Sequence, residues 1–289
     1  MWERTGWGIY AAAEPTPLRV GDTVVAEYVS EPRVPADRGP RPFLHPVRTL
    51  GGTVVTDALP EDHLHHLGVS VSMQDVNGTN LWGGRTYVRG QGYTWLDDHA
   101  TIAHVGWERR EDDRIEALLR WYGHDGGTLI DEYRTMAAAR LSDTAWRLDF
   151  GYTLTNPGTA PVRLGSPATN GRPDKAGYGG FFWRVAPGPK PVAFTAGTEV
   201  EDDVNGSTGG WVGFRSEGAD GTPYTLVFQG LGDGDHWFVR TSDYPGVCVA
   251  LAFVEPRHLA PGESLSRRHR IVVADGGWTA DEAAASLES

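Results

Sequence analysis

The chain has 289 residues, a net charge of −12 and a sequence pI of about 5.2. This acidic balance argues against nucleic acid or an anionic membrane surface as a partner, because both require clustered lysine and arginine. No apolar run is long enough to span a membrane, and the first residues lack the pattern of a signal peptide. We therefore expect a cytoplasmic protein.

The composition is typical of a β protein with many turns. The chain contains 38 glycines and 19 prolines, which punctuate strands, and few windows show helical periodicity. No repeat or low-complexity linker divides the chain, and all-β sandwiches reach this length as one domain. We expect one domain over residues 1–289, built from antiparallel β-sheets with few short helices.

The first chemically distinctive segment follows two strand-like stretches and runs from Asp62 to Ser70. It places His63, His65 and His66 within four residues. The alternating pattern predicts a strand that begins near Leu64, so His63 and His65 would share one face and His66 would lie on the other. Imidazole titrates near neutral pH, so the segment predicts proton transfer.

The next segment, residues 80–85, places Trp82 and Arg85 on either side of two glycines. An indole ring and a guanidinium group are suited to stacking on a polar ligand and hydrogen-bonding it. We predict that both residues bind a ligand.

The middle of the chain predicts four long antiparallel strands. On the third strand, Glu132 and Arg134 share one face, and we predict that both contact a ligand. Short segments rich in Asp, Gly and Ser separate the strands and favour tight turns. The predicted strands are residues 100–108, 114–123, 128–138 and 145–155.

A glycine-rich segment at residues 170–184 carries four further candidate binding residues. Its glycines let the backbone approach a ligand, while the aromatic and polar side chains supply stacking and hydrogen bonds. The alternative is a glycine-rich connection with core aromatics. The four candidates are Asn170, Tyr178, Trp183 and Arg184.

Further candidate residues lie in the C-terminal third. A glycine–aspartate turn delivers His236 and Trp237 to the head of a predicted strand, although an ordinary hairpin has the same pattern. Glu255 ends an apolar strand and is a candidate general base, unless it forms a salt bridge with Arg257. The single cysteine, Cys248, lies in that strand and is expected to be a buried packing residue. The predicted strands are residues 224–229, 236–240, 247–255 and 264–273, followed by a helix at residues 279–287.

A divalent metal is an alternative that the histidines leave open. His63 and His65, on one strand face, would present two nitrogens, with further ligands from His236, Glu132 or Asp235. The sequence has no dinucleotide fingerprint, Walker loop or Cys-x-x-Cys motif, so no other cofactor is expected.

Four segments together resemble the bacterial family labelled PmoA-like: residues 41–47, 62–68, 80–85 and 131–135. The resemblance extends from about residue 41 to residue 274. The methane oxygenase subunit of that name is an integral membrane protein, whereas this chain has no predicted span, so we do not expect oxygenase chemistry.

The C-terminal pattern, residues 249–255 and 259–265 with a basic final strand, is similar to the ending of galactose mutarotase-like proteins. This resemblance implies a β-supersandwich of antiparallel sheets that binds sugars in a cleft across one sheet. The epimerases of that group use a histidine as acid and a late glutamate as base. The resemblance therefore implies His65 or His66 as acid and Glu255 as base.

The expected function is that of a carbohydrate-active enzyme that acts on a small-molecule sugar by histidine and carboxylate acid–base chemistry. Epimerisation, elimination and hydrolysis are all open, as is the oligomeric state. The alternatives are a non-catalytic carbohydrate-binding protein and a metal-dependent lyase or hydrolase built on His63 and His65. The candidate catalytic residues are His63, His65, His66, His236 and Glu255. The candidate binding residues are Trp82, Arg85, Glu132, Arg134, Asn170, Tyr178, Trp183, Arg184 and Trp237.

Overall fold

The computed structural model describes residues 11–189, 191–242 and 244–288, and two large antiparallel sheets account for most of its regular structure. The seven-stranded sheet contains, in spatial order, β1 (Thr16–Val20), β2 (Thr23–Val29), β3 (Phe43–Val47), β4 (Val69–Ser72), β13 (Gly180–Arg184), β18 (Gly246–Ala250) and β17 (His236–Arg240). The eight-stranded sheet contains β14 (Val192–Phe194), β15 (Trp211–Glu217), β16 (Pro223–Gln229), β20 (Ser264–Asp275), β11 (Ala145–Thr155), β10 (Thr128–Arg140), β9 (Arg114–Tyr122) and β8 (Ile102–Arg110).

Two small sheets and three short helices complete the described part of the chain. One small sheet contains β19 (Arg257–Leu259), β12 (Val162–Gly165) and β5 (Asp75–Val76), and the other pairs β6 (Thr86–Val88) with β7 (Gly92–Thr94). The helices are a 3-10 turn (Ala36–Arg38), α1 (Glu201–Val204) and α2 (Ala280–Ala285). None of these helices is long and apolar enough to cross a membrane. The predicted all-β fold with few short helices is confirmed, whereas the single domain stays a prediction.

The two large sheets pack face to face and bury the main core between them. The rings of Phe150 on β11 and Phe181 on β13 lie 5.0 Å apart, and those of Trp183 and Phe228 lie 5.5 Å apart. Burial alternates along β11, as expected for a strand with one face towards a core. The predicted sandwich is therefore confirmed.

The four strands predicted in the middle of the chain are confirmed as β8 to β11, each within two residues of its predicted bounds. The predicted C-terminal helix is confirmed as α2, where Thr279 and Glu282 form a capping box. The strand predicted at residues 247–255 is wrong at its end, because β18 stops at Ala250. The buried residues Leu251 and Ala252 lie in a turn beyond it.

The seven-stranded sheet has two faces with different surroundings. Its inward face packs on the other sheet and carries Trp183 and Trp237. Its outward face carries Phe182, Cys248 and Phe238, which are register partners on β13, β18 and β17. These outward residues pack in a second apolar cluster with Trp82. Cys248 is buried, as predicted.

Candidate functional site

A cavity of about 670 Å³ lies on the outward face of the seven-stranded sheet. Phe238 and Arg240 of β17 and Tyr93 of β7 belong to its wall, and the remaining described wall comes from loops. The loop residues are 61–66, 82–85, Trp95, Arg172, Tyr178 and Tyr244.

The histidine segment reaches this cavity as a pair of turns, so the strand predicted from Leu64 is wrong. The His63 amide donates to the Pro60 carbonyl at 3.0 Å, and the His66 amide donates to the His63 carbonyl at 2.9 Å. A turning backbone does not alternate its side chains between two faces. All three rings therefore cluster: the His63 and His66 rings stack at 4.7 Å, and the His65 ring lies 4.7 Å from that of His66.

Asp62 fixes the protonation pattern of the His63 ring. The Asp62 Oδ2 atom lies 2.9 Å from His63 Nδ1. Since an ionised carboxylate only accepts hydrogen bonds, Nδ1 carries the hydrogen, and the neutral ring keeps its lone pair on Nε2. The arrangement gives the cavity wall an oriented imidazole that can accept a proton.

Arg184 holds Asp62 and His66 in place from behind the cavity wall. This buried guanidinium lies 3.3 Å from each carboxylate oxygen of Asp62 and 3.4 Å from His66 Nδ1. Partial burial raises the pKa of Asp62, but the hydrogen bond from His63 and the charge of Arg184 outweigh it, so the pKa is lowered. Asp62 is therefore ionised at neutral pH.

His65 and His66 are neutral at physiological pH. Burial, with a smaller contribution from neighbouring positive groups, lowers the pKa of His65 to about 3. The same causes place the pKa of His66 well below its usual value. Since Arg184 only donates hydrogen bonds, His66 Nδ1 accepts and its other nitrogen carries the hydrogen. These two rings provide neutral polar groups beside His63.

The two glycines between Trp82 and Arg85 let the loop approach His65. Gly83 and Gly84 have φ of 93° and 70°, and a β-carbon on Gly84 would lie 2.8 Å from the His65 ring. Only glycine adopts this backbone and leaves room for the ring.

Arg41, which the sequence did not single out as a site residue, fastens the histidine segment to this loop. Its buried guanidinium donates to the carbonyls of His65 at 3.1 Å and Trp82 at 3.0 Å, and to the Ser70 hydroxyl of β4 at 3.0 Å. The only sequence signal was its place at the start of residues 41–47. Arg41 contacts backbone atoms of the site and is a positioning residue.

Two phenols and an arginine form a hydrogen-bonded chain in the cavity wall. The Tyr93 and Tyr178 hydroxyls lie 2.8 Å apart, and Arg172 donates to the Tyr93 oxygen. Gln74 donates to the Tyr178 oxygen at 3.0 Å. Burial raises the pKa of both phenols, so both keep their protons. Tyr178, a predicted binding residue, lies in the cavity wall, whereas Tyr93 and Arg172 were missed.

Aromatic rings support the other two lining arginines. The Arg85 guanidinium carbon lies 5.8 Å from the ring centre of Trp95, and that of Arg240 lies 4.4 Å from the Phe238 ring. Trp95 is 56% exposed. Arg240 and Phe238 were missed because the sequence interpretation selected Trp237, an inward residue of the same strand, by its residue type. The strand period of two would have located them once the inward residue was known.

Two predicted binding residues, Trp183 and Trp237, belong to the inward core. Trp183 Nε1 donates to the Val55 carbonyl at 3.1 Å, and Trp237 Nε1 donates to the Gly209 carbonyl at 2.7 Å. Neither is among the described residues that line the cavity. Their indoles are accounted for by core packing.

Glu132 and Arg134 form an ion pair inside the sandwich, away from the described cavity wall. Arg134 Nε lies 2.7 Å from Glu132 Oε1, and neither side chain is exposed. The remaining bonds link Glu132 to Trp121 at 2.7 Å and Arg134 to the Pro42 carbonyl at 2.9 Å. Each charge is neutralised by the other, as buried ions require.

Three further candidates do not line the described cavity. Glu255 is exposed beyond the end of β18. The His236 ring stacks on Phe253 at 4.8 Å. Asn170 lies in a turn and donates to Asp75 of β5 at 3.0 Å. The structure therefore does not bring Glu255 to the histidines as the mutarotase resemblance implies.

A divalent metal requires several ligand side chains arranged around one point. The His63 and His65 rings lie 5.6 Å apart in an edge-on arrangement. Within the described residues there is no group of three or more His, Cys, Asp or Glu side chains placed to hold an ion. The described residues thus do not fit the predicted metal site.

One protein-family model matches residues 16–288, and its description is "Family of unknown function (DUF6807)". This description differs from the PmoA-like label expected from the motifs. No curated protein matches the chain in sequence.

Several solved structures are similar to the chain. A galactose mutarotase related enzyme from Lactobacillus acidophilus is 12% identical over 92% of this chain and 98% of its own, with a TM-score of 0.38. A polysaccharide lyase is 11% identical over 92% of this chain and 33% of its own, with a TM-score of 0.34. The heparan sulfate lyase HepC of Pedobacter heparinus, a mutant, is 10% identical over 64% of this chain, with a TM-score of 0.30. The chain spans about a quarter of that lyase, since 24% of its length is covered.

Proposed function

The chain belongs to the DUF6807 family, and from the geometry of its cavity we propose that it is a carbohydrate-active enzyme that moves a proton on a bound sugar. The observation that carries this proposal is the Asp62–His63 pair on the cavity wall, with 2.9 Å between Oδ2 and Nδ1. An imidazole oriented in this way by a carboxylate is a general base whose protonated form can return the proton.

The rest of the wall supports a sugar as the ligand. A volume of about 670 Å³ suits a small polar molecule, and aromatic faces alternate there with hydrogen-bonding groups. Trp82 and Tyr178 supply a buried aromatic floor, and Trp95 supplies an exposed indole at the rim. Sugar rings present apolar C–H faces and hydroxyl edges, which match such a surface.

The carboxylates favour proton transfer on the sugar over hydrolysis. Glycosidases of the usual type need two carboxyl groups, one of which stays protonated as the acid. The described wall contains only the adjacent pair Glu61 and Asp62, and Asp62 is held ionised by His63 and Arg184. We therefore assign the base to His63 and the reaction to epimerisation or elimination.

The test is solvent-deuterium incorporation, followed by proton NMR, with neutral and acidic sugars incubated in D₂O. We expect loss of one C–H signal, or new alkene signals, with the wild type. His63→Ala slows the change by about 10²–10⁴-fold because the base is gone. Asp62→Asn also slows it, because an amide can donate to Nδ1 and reverse the tautomer.

The matched control is His258→Ala, which removes an exposed histidine on β19. It leaves the rate unchanged. Turnover that survives His63→Ala would contradict the assignment of the base. Saturable binding without any chemical change would instead favour the non-catalytic carbohydrate-binding protein.

A further inference from the structure

We infer that the sugar carries a carboxylate, which the arginines of the cavity bind; this inference rests on the proposed function and names its substrate class. Arg85, Arg172 and Arg240 all line the cavity. The chain as a whole has a net charge of −12, so a wall with three guanidinium groups contrasts with the rest of the molecule. Such a wall attracts an anion.

None of these three arginines has a carboxylate partner among the described residues, a property that they share with some other arginines of the chain, such as Arg41 and Arg110. Elsewhere, Arg163 pairs with an aspartate, and Arg267 lies 2.5 Å from Asp235. Of the two carboxylates on the described cavity wall, Asp62 is already held by His63 and Arg184. The other, Glu61, forms no salt bridge with Arg85, Arg172 or Arg240, so the three guanidinium groups are not paired within the described residues.

Arg172 and Arg240 each lie against an aromatic ring of the cavity wall. Arg172 lies 4.7 Å from the Tyr93 ring centre, and Arg240 lies 4.4 Å from that of Phe238. An aromatic ring contacts the flat face of a guanidinium and leaves in-plane N–H groups to bind a carboxylate in bidentate geometry. Arg172 uses one N–H on the Tyr93 hydroxyl, and Arg240 uses one on the Val239 carbonyl.

A carboxylate also suits the chemistry assigned to His63. It acidifies the C–H bond on the neighbouring ring carbon, and His63 Nε2 takes that proton while the bonding pair moves into the carboxylate as an enediolate. Guanidinium groups that contact the carboxylate stabilise this charge. Water then donates a proton to the carbon on the opposite face, and His63 returns its proton to the solvent, which gives the epimer. Alternatively, the enediolate expels the oxygen on the next carbon, a C=C bond forms, and the His63 proton goes to that oxygen.

The experiment compares oligosaccharides of glucuronate and galacturonate with the same oligosaccharides after their carboxylates are reduced to alcohols. Calorimetric titration of the full chain is expected to show about tenfold tighter binding of the acidic forms, as for one lost charged contact. The difference shrinks at high salt because the interaction is between charges. Sulfated and phosphorylated sugars without a carboxylate form a third arm.

Arg172→Gln and Arg240→Gln are expected to weaken binding of the acidic forms by about tenfold each and to leave the reduced forms unchanged. Arg172→Lys keeps the positive charge but cannot bind a carboxylate with two parallel N–H groups. We expect its affinity for the acidic forms to lie between those of the wild type and Arg172→Gln. The control is Arg120→Gln, which removes an arginine paired with Asp131 on the eight-stranded sheet. Urea denaturation of each variant checks that it is folded.

Equal binding of acidic and reduced forms, or preference for sulfated or phosphorylated sugars, overturns the inference. So does failure of every uronate to bind. In each of these cases, deuterium incorporation into a neutral sugar that depends on His63 would leave the proposed function standing. Absence of exchange in all sugars, with uronates still bound through the arginines, would instead overturn the proposed function alone.

Discussion

The two faces of the seven-stranded sheet differ in what their side chains do, although they alternate along the same strands. Inward residues such as Trp183 and Trp237 pack between the sheets, with each indole N–H on a backbone carbonyl. Outward neighbours such as Arg184 and Arg240 meet or support the cavity. Strand side chains alternate with a period of two, so adjacent residues of one strand lie on opposite faces. One of them stabilises the core, and the other contributes to the cavity.

Removal of an inward indole should have the largest effect on stability. Trp237→Ala deletes a fully buried ring and leaves the Gly209 carbonyl without its partner. We expect the free energy of unfolding to fall by about 3–5 kcal/mol. Urea denaturation followed by circular dichroism measures it. A loss of sugar binding with stability unchanged would show that Trp237 belongs to the site.

The inward ion pair gives a second test of the same kind. Glu132→Gln leaves the buried Arg134 guanidinium without a counter-charge, so we expect about 3–5 kcal/mol of destabilisation. Sugar affinity of the protein that remains folded should not change, which titration calorimetry checks. If Glu132→Gln abolished binding in a fully stable protein, the placement of this pair in the core would be contradicted.

Acid should weaken the protein through histidines that are buried and neutral. Burial lowers the pKa of His269, between the sheets, from 6.5 to about 4. Between those values the unfolded chain binds the proton and the folded chain does not. The stability contributed by neutral His269 is therefore complete above pH 6.5 and is lost as the pH falls towards 4, at up to about 1.4 kcal/mol per pH unit.

Urea denaturation from pH 7 to pH 4 measures this slope. His269→Asn keeps a donor for the Gly230 carbonyl, which His269 Nδ1 contacts at 2.9 Å, but it cannot titrate. This variant should lower the dependence of the free energy of unfolding on pH by the contribution of about one bound proton. An unchanged slope would show that other groups, such as His65, account for the acid sensitivity.

The smallest effect on stability is expected on the outward face. Arg240→Gln removes a partly exposed guanidinium with no carboxylate partner among the described residues, so the free energy of unfolding should change by less than about 0.5 kcal/mol. Thermal denaturation checks this. A loss comparable to that of Trp237→Ala would mean that both faces serve packing alike.

The sequence predicted the fold better than the site, for a physical reason. Alternation and turn residues are local, so β8 to β11 and the cap of α2 were located within two residues. The site depends on which face of each strand turns outward and on which loops meet there. Trp183 and Trp237 were selected for residue type, although it is their neighbours Phe182 and Phe238 that lie on the outward face.

The histidine segment shows both the value and the limit of a local pattern. Three histidines close together predicted a site, and all three line the cavity. Their geometry was wrong, because Pro60 and His63 accept turn hydrogen bonds and the backbone does not extend before Val69. Arg172 and Tyr244 join these rings from distant positions, which no spacing in the sequence reveals.

The most direct test of the account is a crystal structure of the full chain with a bound uronate oligosaccharide. We expect the sugar to occupy the cavity of the outward face, with its carboxylate within hydrogen-bond distance of Arg172 or Arg240. The C–H bond beside that carboxylate would face Nε2 of His63. A sugar bound outside this cavity, for example against His236 and Glu255, would contradict it.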